Sequence, residues 1–414
     1  MERVAEWISP ARAGTGFRWL LASSWVSNIG DGIALAAGPL LVATQTRDPL
    51  LVALASLLQR VPWLLFGLWA GVLADRLNRR LQVVVADLLR AGVLAVLSLT
   101  IIADAVSVGV VFAAVFVLGT AEVFADTATS TLLPMLVGRS DLGMANARLV
   151  AGFITANQLV GPPVGAALFA VGMVWPFAAQ AVLVAMGAML VSKIAVTAPV
   201  TLTAAQSGRR HVRADVADGL RWVWSHAAVR TLTITIVAFN VTFGAAWSVL
   251  VLYSAERLGL GEIGFGLLTT ASALGGLLGS FGYVWLERRL GLATIMRAGL
   301  AIETCTHLAL AITTNPAVAM VTFFVFGVHI AAWGTTSTSI RQRAVTADFQ
   351  GRVGSVYLLG VHGGLVVGAA IGGVIADAWG VTGPFWFAFA GSAAILAAIW
   401  AQLGHIAHVD APTG

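Results

Sequence analysis

The sequence predicts an all-α membrane protein whose twelve transmembrane helices fall into two six-helix repeats. Three observations carry this reading. Of the 414 residues, 58% are hydrophobic and only 10% charged, with a mean hydropathy of +0.89, so a soluble fold would leave much apolar surface in water. The apolar residues come in runs of about 20 or more, the length that crosses a bilayer. Short patterns also recur between the two halves at a nearly constant offset.

Taken in order, the apolar runs are broken by charge, Gly or Pro at roughly 17–44, 50–73, 81–103, 106–136, 147–171 and 174–197. After a polar stretch follow roughly 229–255, 264–286, 291–313, 316–342, 351–377 and 383–405. Met1 to Gly16 is polar and precedes a run too long for a cleaved leader, so no secretory signal is expected. Several connections are very short, which makes neighbouring helices antiparallel. The domains expected are a six-helix bundle over 1–197, a cytoplasmic linker over 198–228 and a second bundle over 229–414. Within the linker, "DVADGLRWVWSHAAVRTL" sets Leu220, Trp222, Val223 and Trp224 beside Arg221 and Arg230, the pattern of an amphipathic helix lying at a membrane surface.

Charge orients the chain. Twenty of the 24 basic residues fall on the side that holds both termini, against Arg47 and Arg257 on the other, and Lys and Arg collect on the cytoplasmic side. A pI of about 10.3 could suggest nucleic acid, but the arginines come in small groups between apolar runs, so no nucleic-acid partner is expected. The single cysteine, Cys305, excludes an intrachain disulfide, and no two histidines have a recognised metal-ligand spacing, so neither metal nor cofactor is expected. Zinc-protease and nucleophile-elbow patterns are missing, which speaks against an intramembrane enzyme.

The repeat is visible in three places. "FVLG" at 116–119 recurs as "FVFG" at 324–327, "VGPPVGAA" from Val160 recurs as "VGAAIGGV" from Val367, and Arg79-Arg80 recurs as Arg288-Arg289, at offsets of 208, 207 and 209. A duplicated bundle places a transport site near the bilayer midplane.

"GVLADRLNRR" at 71–80 resembles the signature loop of the major facilitator superfamily, with Gly71, Asp75, Arg76, Arg79 and Arg80 in place and Asn78 where a second glycine is usual. "SNIGDGIALAAGPLLV", "ADLLRA", "LLPMLV" and "GRVGSVY" are similar to the branch holding the enterobactin exporter, macrolide efflux pumps and mycobacterial multidrug efflux proteins, and the resemblance covers nearly the whole chain. "GPPVGA" at 161–166 resembles the fifth-helix pattern of proton-coupled drug antiporters; Pro162 bends the helix while Gly161 and Gly165 allow close packing. The resemblance implies a latch for the outward-facing state: Asp75 docks on the helix start at Gly351 to Gly354, beside Arg352, and Arg79 meets Asp126. Asn tolerates a left-handed turn better than most residues, so Asn78 departs only slightly from the family pattern.

Ionisable groups inside spans are costly and therefore informative. Asp31, Arg60 and Glu122 fall near the middle of their spans and are the candidates for proton coupling, with Arg60 tuning the carboxylates. Asp87 and Arg90, three apart, read as a structural pair. In the second half Glu303 and His307 are four apart, and His329 and His362 follow; a proton relay and plain packing both fit them. Asn28, Asn157, Asn240, Trp247, Trp333, Glu303 and His329 are candidates for a substrate cavity, or equally for helix packing.

These readings lead to a monomeric secondary transporter of the bacterial inner membrane, exporting amphipathic organic molecules in exchange for protons. Its partners would be a small organic substrate, protons and the lipid bilayer. A siderophore-type exporter of narrow range, a lipid flippase and a non-transporting sensor are the alternatives.

Overall fold

A computed structural model describes residues 14–138, 141–195, 212–345 and 350–403. Arg3, Arg12, Arg139, Arg209 and Arg210, which entered the charge count, lie outside these residues, as do the side chains of Asp75 and Arg76. The described residues are helical throughout, joined by short turns.

The first half comprises α1 (Gly14–Gln45), α2 (Pro49–Arg76), α3 (Arg79–Ile102), α4 (Val108–Leu136), α5 (Leu142–Gly152) running through a π-helical segment (Phe153–Val160) into α6 (Gly161–Val171), and α7 (Trp175–Ser192). The connecting helix is α8 (Val212–Ser225). The second half follows with α9 (Ala227–Trp247), α10 (Leu250–Glu256), α11 (Glu262–Ile312), α12 (Pro316–Ala344), α13 (Gln350–Trp379) and α14 (Gly383–Ile399). Gly291, at φ +71° and ψ 159°, is a non-helical residue inside α11, whose two candidate spans are 262–283 and 285–312. Eleven helices are long and apolar enough to cross a membrane, and α14 is an apolar helix of 17 residues, so the described residues supply the twelve spans expected. Large apolar side chains such as Phe281 (84% exposed) and Trp69 (68%) cover the outer faces, as a lipid-facing surface requires.

Where the span boundaries differ from expectation, local chemistry explains it. Pro162 and Pro163 have no N–H to give to the preceding turn, so the helix widens: Gly161 N–H bonds Ala156 O, an i→i−5 contact, and eight residues are π-helical instead of forming a simple kink. The seventh span, expected to be continuous, breaks at Ser248 and Val249, two turn residues after which α10 starts at Leu250.

The chain forms two compact units: residues 1–46, 61–202 and 262–270, and residues 47–60, 203–261 and 271–414. The first has a core of Phe17, Leu20, Leu21, Val83, Leu132 and Val191; the second, of Leu232, Ile236, Phe239, Met296, Leu300 and Ile340. Residues 47–60 pack with the second unit, where Ala53 meets Val249 and Ala376. Helix α8 is amphipathic as expected: Val223 is buried against Val229, Val345, Val353 and Val356, while Leu220 and Trp224 stay on its outer face.

The repeat is reproduced in the packing. A Cβ at Gly161 would lie 2.4 Å from Gly32 Cα, and one at Gly165 would lie 2.2 Å from Ile33 O, so α6 crosses α1 in backbone contact. Their counterparts Gly368 and Gly372 do the same against α9, with contacts of 2.3 Å to Val241 O and 2.2 Å to Ala245 O. In a bilayer, where apolar area gives no drive for association, such close crossings hold helices together.

Candidate functional site

In the first unit, ionisable side chains from α1, α3 and α4 converge. Arg90 on α3 hydrogen-bonds Asp31 of α1 through Nη2, and through Nη1 it reaches Asp87 Oδ1 at 3.1 Å. Glu122 and Asp126, one turn apart on α4, lie within electrostatic reach of the same guanidinium. Gln180 of α7 adds a bond from Nε2 to Asp31 Oδ1 at 3.3 Å. Exposure rises across the group: Asp87 and Arg90 are buried, Asp31 and Glu122 half-buried and Asp126 exposed. A charged side chain at this depth does not face lipid, so Asp126 marks a wetted face of α4.

Asp31 is held from two sides. It sits between Gly30, packed on Gln180, and Gly32, whose missing Cβ would meet Asn157 O at 2.5 Å. The Gly161 and Gly165 crossing brings the π-helical segment, with buried Asn157, against the α1 backbone at Gly32, the residue after Asp31. Gly161, Pro162 and Gly165 act through this approach and not by offering polar groups.

Two of the expected pairings are corrected. The arginine that serves Asp31 is Arg90, whereas Arg60 bonds its own helix at Ser56 O (3.2 Å) and Ser56 Oγ (3.1 Å). Asp87 and Arg90 are thus more than an isolated structural pair, because the guanidinium also ties α3 to α1 through Asp31. Asp126 interacts with Arg90, Asp31 and Asp87. Arg79 instead bonds Ala74 O at 2.9 Å and Met135 Sδ at 2.8 Å. Met135 is nine residues beyond Asp126 on α4, about 13 Å at 1.5 Å per residue, which separates the two ends of the expected contact.

The charged turn at 71–80 is a capping device in the described residues. Asn78 is extended (φ −67°, ψ 108°) and caps α3 by accepting from Leu81 N, so the position uses its side chain and not a left-handed backbone. Arg79 covers a carbonyl at the end of α2, and Arg80 donates to Ile194 O at 2.9 Å just past α7. Cations at helix C-termini complement the exposed carbonyls there. Gly71 lies within α2, and Gly351 and Arg352 lie in the first turn of α13, where Arg352 stands 4.0 Å from Asp218 of α8.

The second-unit candidates divide into two groups. Asn240 donates to Ile236 O, as Asn28 of the first unit does to Ser24 O, so both amides bond back to their own helices. Glu303 does not pair with His307: its Oε2 lies 3.2 Å from His329 Nε2. Trp247 stacks on Phe243 (4.4 Å) and meets Phe326 (4.8 Å), and Trp333 packs at 6.4 Å from the His329 ring. Among the described residues, no three His, Cys, Asp or Glu side chains converge as a metal site.

Residues 6–411 match the family described as transmembrane secretion effector. The chain belongs to that family, within the major facilitator superfamily. This transmembrane secretion effector is 27% identical over 390 residues to the multidrug efflux pump Tap of Mycolicibacterium fortuitum, covering 88% of the chain and 90% of the relative. It is 24% identical over 401 residues to macrolide efflux protein A of Streptococcus pyogenes, covering 92% and 94%. Its fold is similar to that of a variant of the nucleoside transporter NupG (TM-score 0.75, 12% identity, 94% of this chain and all of the other). It also resembles a bacterial homologue of the iron transporter ferroportin in its inward-facing state (TM-score 0.73, 17% identity, 95% and 99%). The effector is therefore a multi-pass membrane protein with a major facilitator transport fold.

Sequence reasoning missed Arg90 as the centre of the cluster and Gln180 as a ligand of Asp31. For Arg90 a signal existed: it is one of two arginines deep in the first-half spans, and it alone has a carboxylate within one turn.

Proposed function

We propose that the effector exports amphipathic organic molecules from the bacterial cytoplasm in exchange for protons, with both termini cytoplasmic, by alternating access of its two repeats. One observation carries the coupling: Arg90 bonds Asp31 and Asp87, and Glu122 and Asp126 lie within electrostatic reach of the same guanidinium. With all four ionised, the group would hold a net charge of −3 at membrane depth. Low-dielectric surroundings resist that charge, so the cluster takes up positive charge, and closely coupled carboxylates do so by sharing protons. Access from a wetted face at Asp126 to buried Asp87 gives those protons a route, and loading or unloading them shifts the balance between conformations.

Export is supported by the likeness to Tap and to macrolide efflux protein A. The Gly161 and Gly165 crossing supports it further, since it packs the antiporter-like segment on α1 at Gly32 and Ile33, next to Asp31 in the chain. The test is transport in proteoliposomes with ethidium as probe. An imposed proton gradient drives its accumulation by the wild type, and Glu122→Gln abolishes uphill accumulation while leaving membrane insertion intact. Gradient-driven accumulation that survives both Glu122→Gln and Asp31→Asn would overturn the assignment.

A further inference from the structure

The second unit carries an ionisable group of different character. Glu303 and His329 lie 3.2 Å apart with side chains only 10% and 2% exposed. One turn beyond Glu303 on α11, His307 is wholly buried, and neither of its ring nitrogens has a partner among the described residues; His329 Nδ1 has none either. His307 and His329 are near enough to interact electrostatically. The surrounding wall is aromatic: Trp247 meets His307 edge-on at 5.9 Å, and Phe326 lies 5.9 Å from His329.

Packing does not account for these residues. A leucine at 307 would fill the same wall without burying two unpaired nitrogens, which is costly in apolar surroundings. The ring of His329 is also seated deliberately: a Cβ at Gly299 would lie 2.8 Å from its Nδ1, so this glycine lets the imidazole rest against the α11 backbone one turn before Glu303. The titratable side chains facing the group are Glu303 and His307 from α11 and His329 from α12, while α9 contributes Phe243 and Trp247. Cys305 of α11 is exposed, and His362 of α13 bonds Leu358 O on its own helix.

Among the described residues, no arginine or lysine pairs with Glu303. Ionised beside two neutral imidazoles, it leaves the group at −1; one added proton makes it neutral, whether it rests on the carboxylate or on a ring. We propose that Glu303, His329 and His307 form a second proton-binding site, so that each six-helix repeat carries a coupling proton of its own on its third and fourth spans. α11 from Trp285 and α12 stand in the second repeat where α3 and α4 stand in the first. In the "FVLG" and "FVFG" register, His329 falls one position from the counterpart of Glu122. The proposal rests on the proton-coupled reading given above.

The experiment measures the proton-to-substrate ratio of the full-length protein in proteoliposomes from the reversal potential, with ethidium as probe. Glu303→Gln and His329→Gln are each expected to lower the ratio by about one proton, and an unchanged ratio in both overturns the proposal. If the wild type moves no protons, the coupled-export reading fails by itself. The site is then judged by ring-nitrogen NMR of ¹⁵N-histidine-labelled protein in nanodiscs, which has 7 histidines to resolve. Glu303→Gln removes the carboxylate beside His329 and Gly299→Ala displaces its ring, and each is expected to change the pH response of the His329 resonances. His329 and His307 resonances that stay constant between about pH 5 and pH 9, or that ignore both substitutions, overturn the proposal.

Discussion

The acidic cluster around Arg90 and the Glu303–His329 pair occupy corresponding spans of the two repeats yet are built from opposite materials. The first has four carboxylates and a permanent cation that ties α3 to α1; the second has one carboxylate and two imidazoles in an aromatic wall. Arg90 is therefore a structural tie as well as a charge, whereas the histidines hold little together. Duplication conserved the close helix crossings at Gly165 and Gly372 and left the chemistry inside them free to diverge.

The largest effect expected is from Arg90→Met, which leaves buried carboxylates without their cation and costs about 3–5 kcal/mol, read as loss of thermal stability in detergent together with loss of transport. Adding Asp31→Asn recovers part of that stability, and a double-mutant cycle measures the coupling. His329→Leu, the matching lesion in the second repeat, should cost far less. Equal losses at the two positions would break the contrast between tie and titrating pair.

Next come the crossings. Gly165→Val and Gly372→Val each drive a side chain into a carbonyl 2.2 Å from where its Cβ would sit. Each should destabilise by at least about 1–3 kcal/mol, and similar losses in thermal melts would sharpen the claim that the repeats share one packing device.

The corresponding turns differ more finely. Gly291→Ala forces a side chain into a backbone region at φ +71° that favours glycine, costing about 1–3 kcal/mol. Asn78→Ala removes only the cap of α3, worth about 1 kcal/mol. Unfolding midpoints rank the two, and a reversed order would show that the first turn, not the second, is the strained one.

The smallest change, with the opposite sign, is His307→Leu. It relieves two unpaired nitrogens and should raise stability by up to about 1–2 kcal/mol while impairing proton-coupled transport. A stability loss on melting would instead assign His307 to packing.

The sequence by itself determined the number of spans, their turns and the repeat, because a bilayer accepts only helices of sufficient apolar length and every short connection between them had to be polar or charged. Gly161 and Gly165, with their counterparts Gly368 and Gly372, were legible for the same reason: only small residues permit such crossings. The partners of the buried charges were not legible. Asp87 beside Arg90 sets it apart from Arg60 along the chain, but nothing there shows that Arg90 also meets an aspartate 59 residues away while Arg60 bonds Ser56 within its own helix. Glu303 likewise passes over His307, four residues on, for His329 on the next helix. A span apolar on every face carries no periodicity to say which side meets a neighbour. Only the packing of helices, set by shape and close backbone approach, decided which charges share a site.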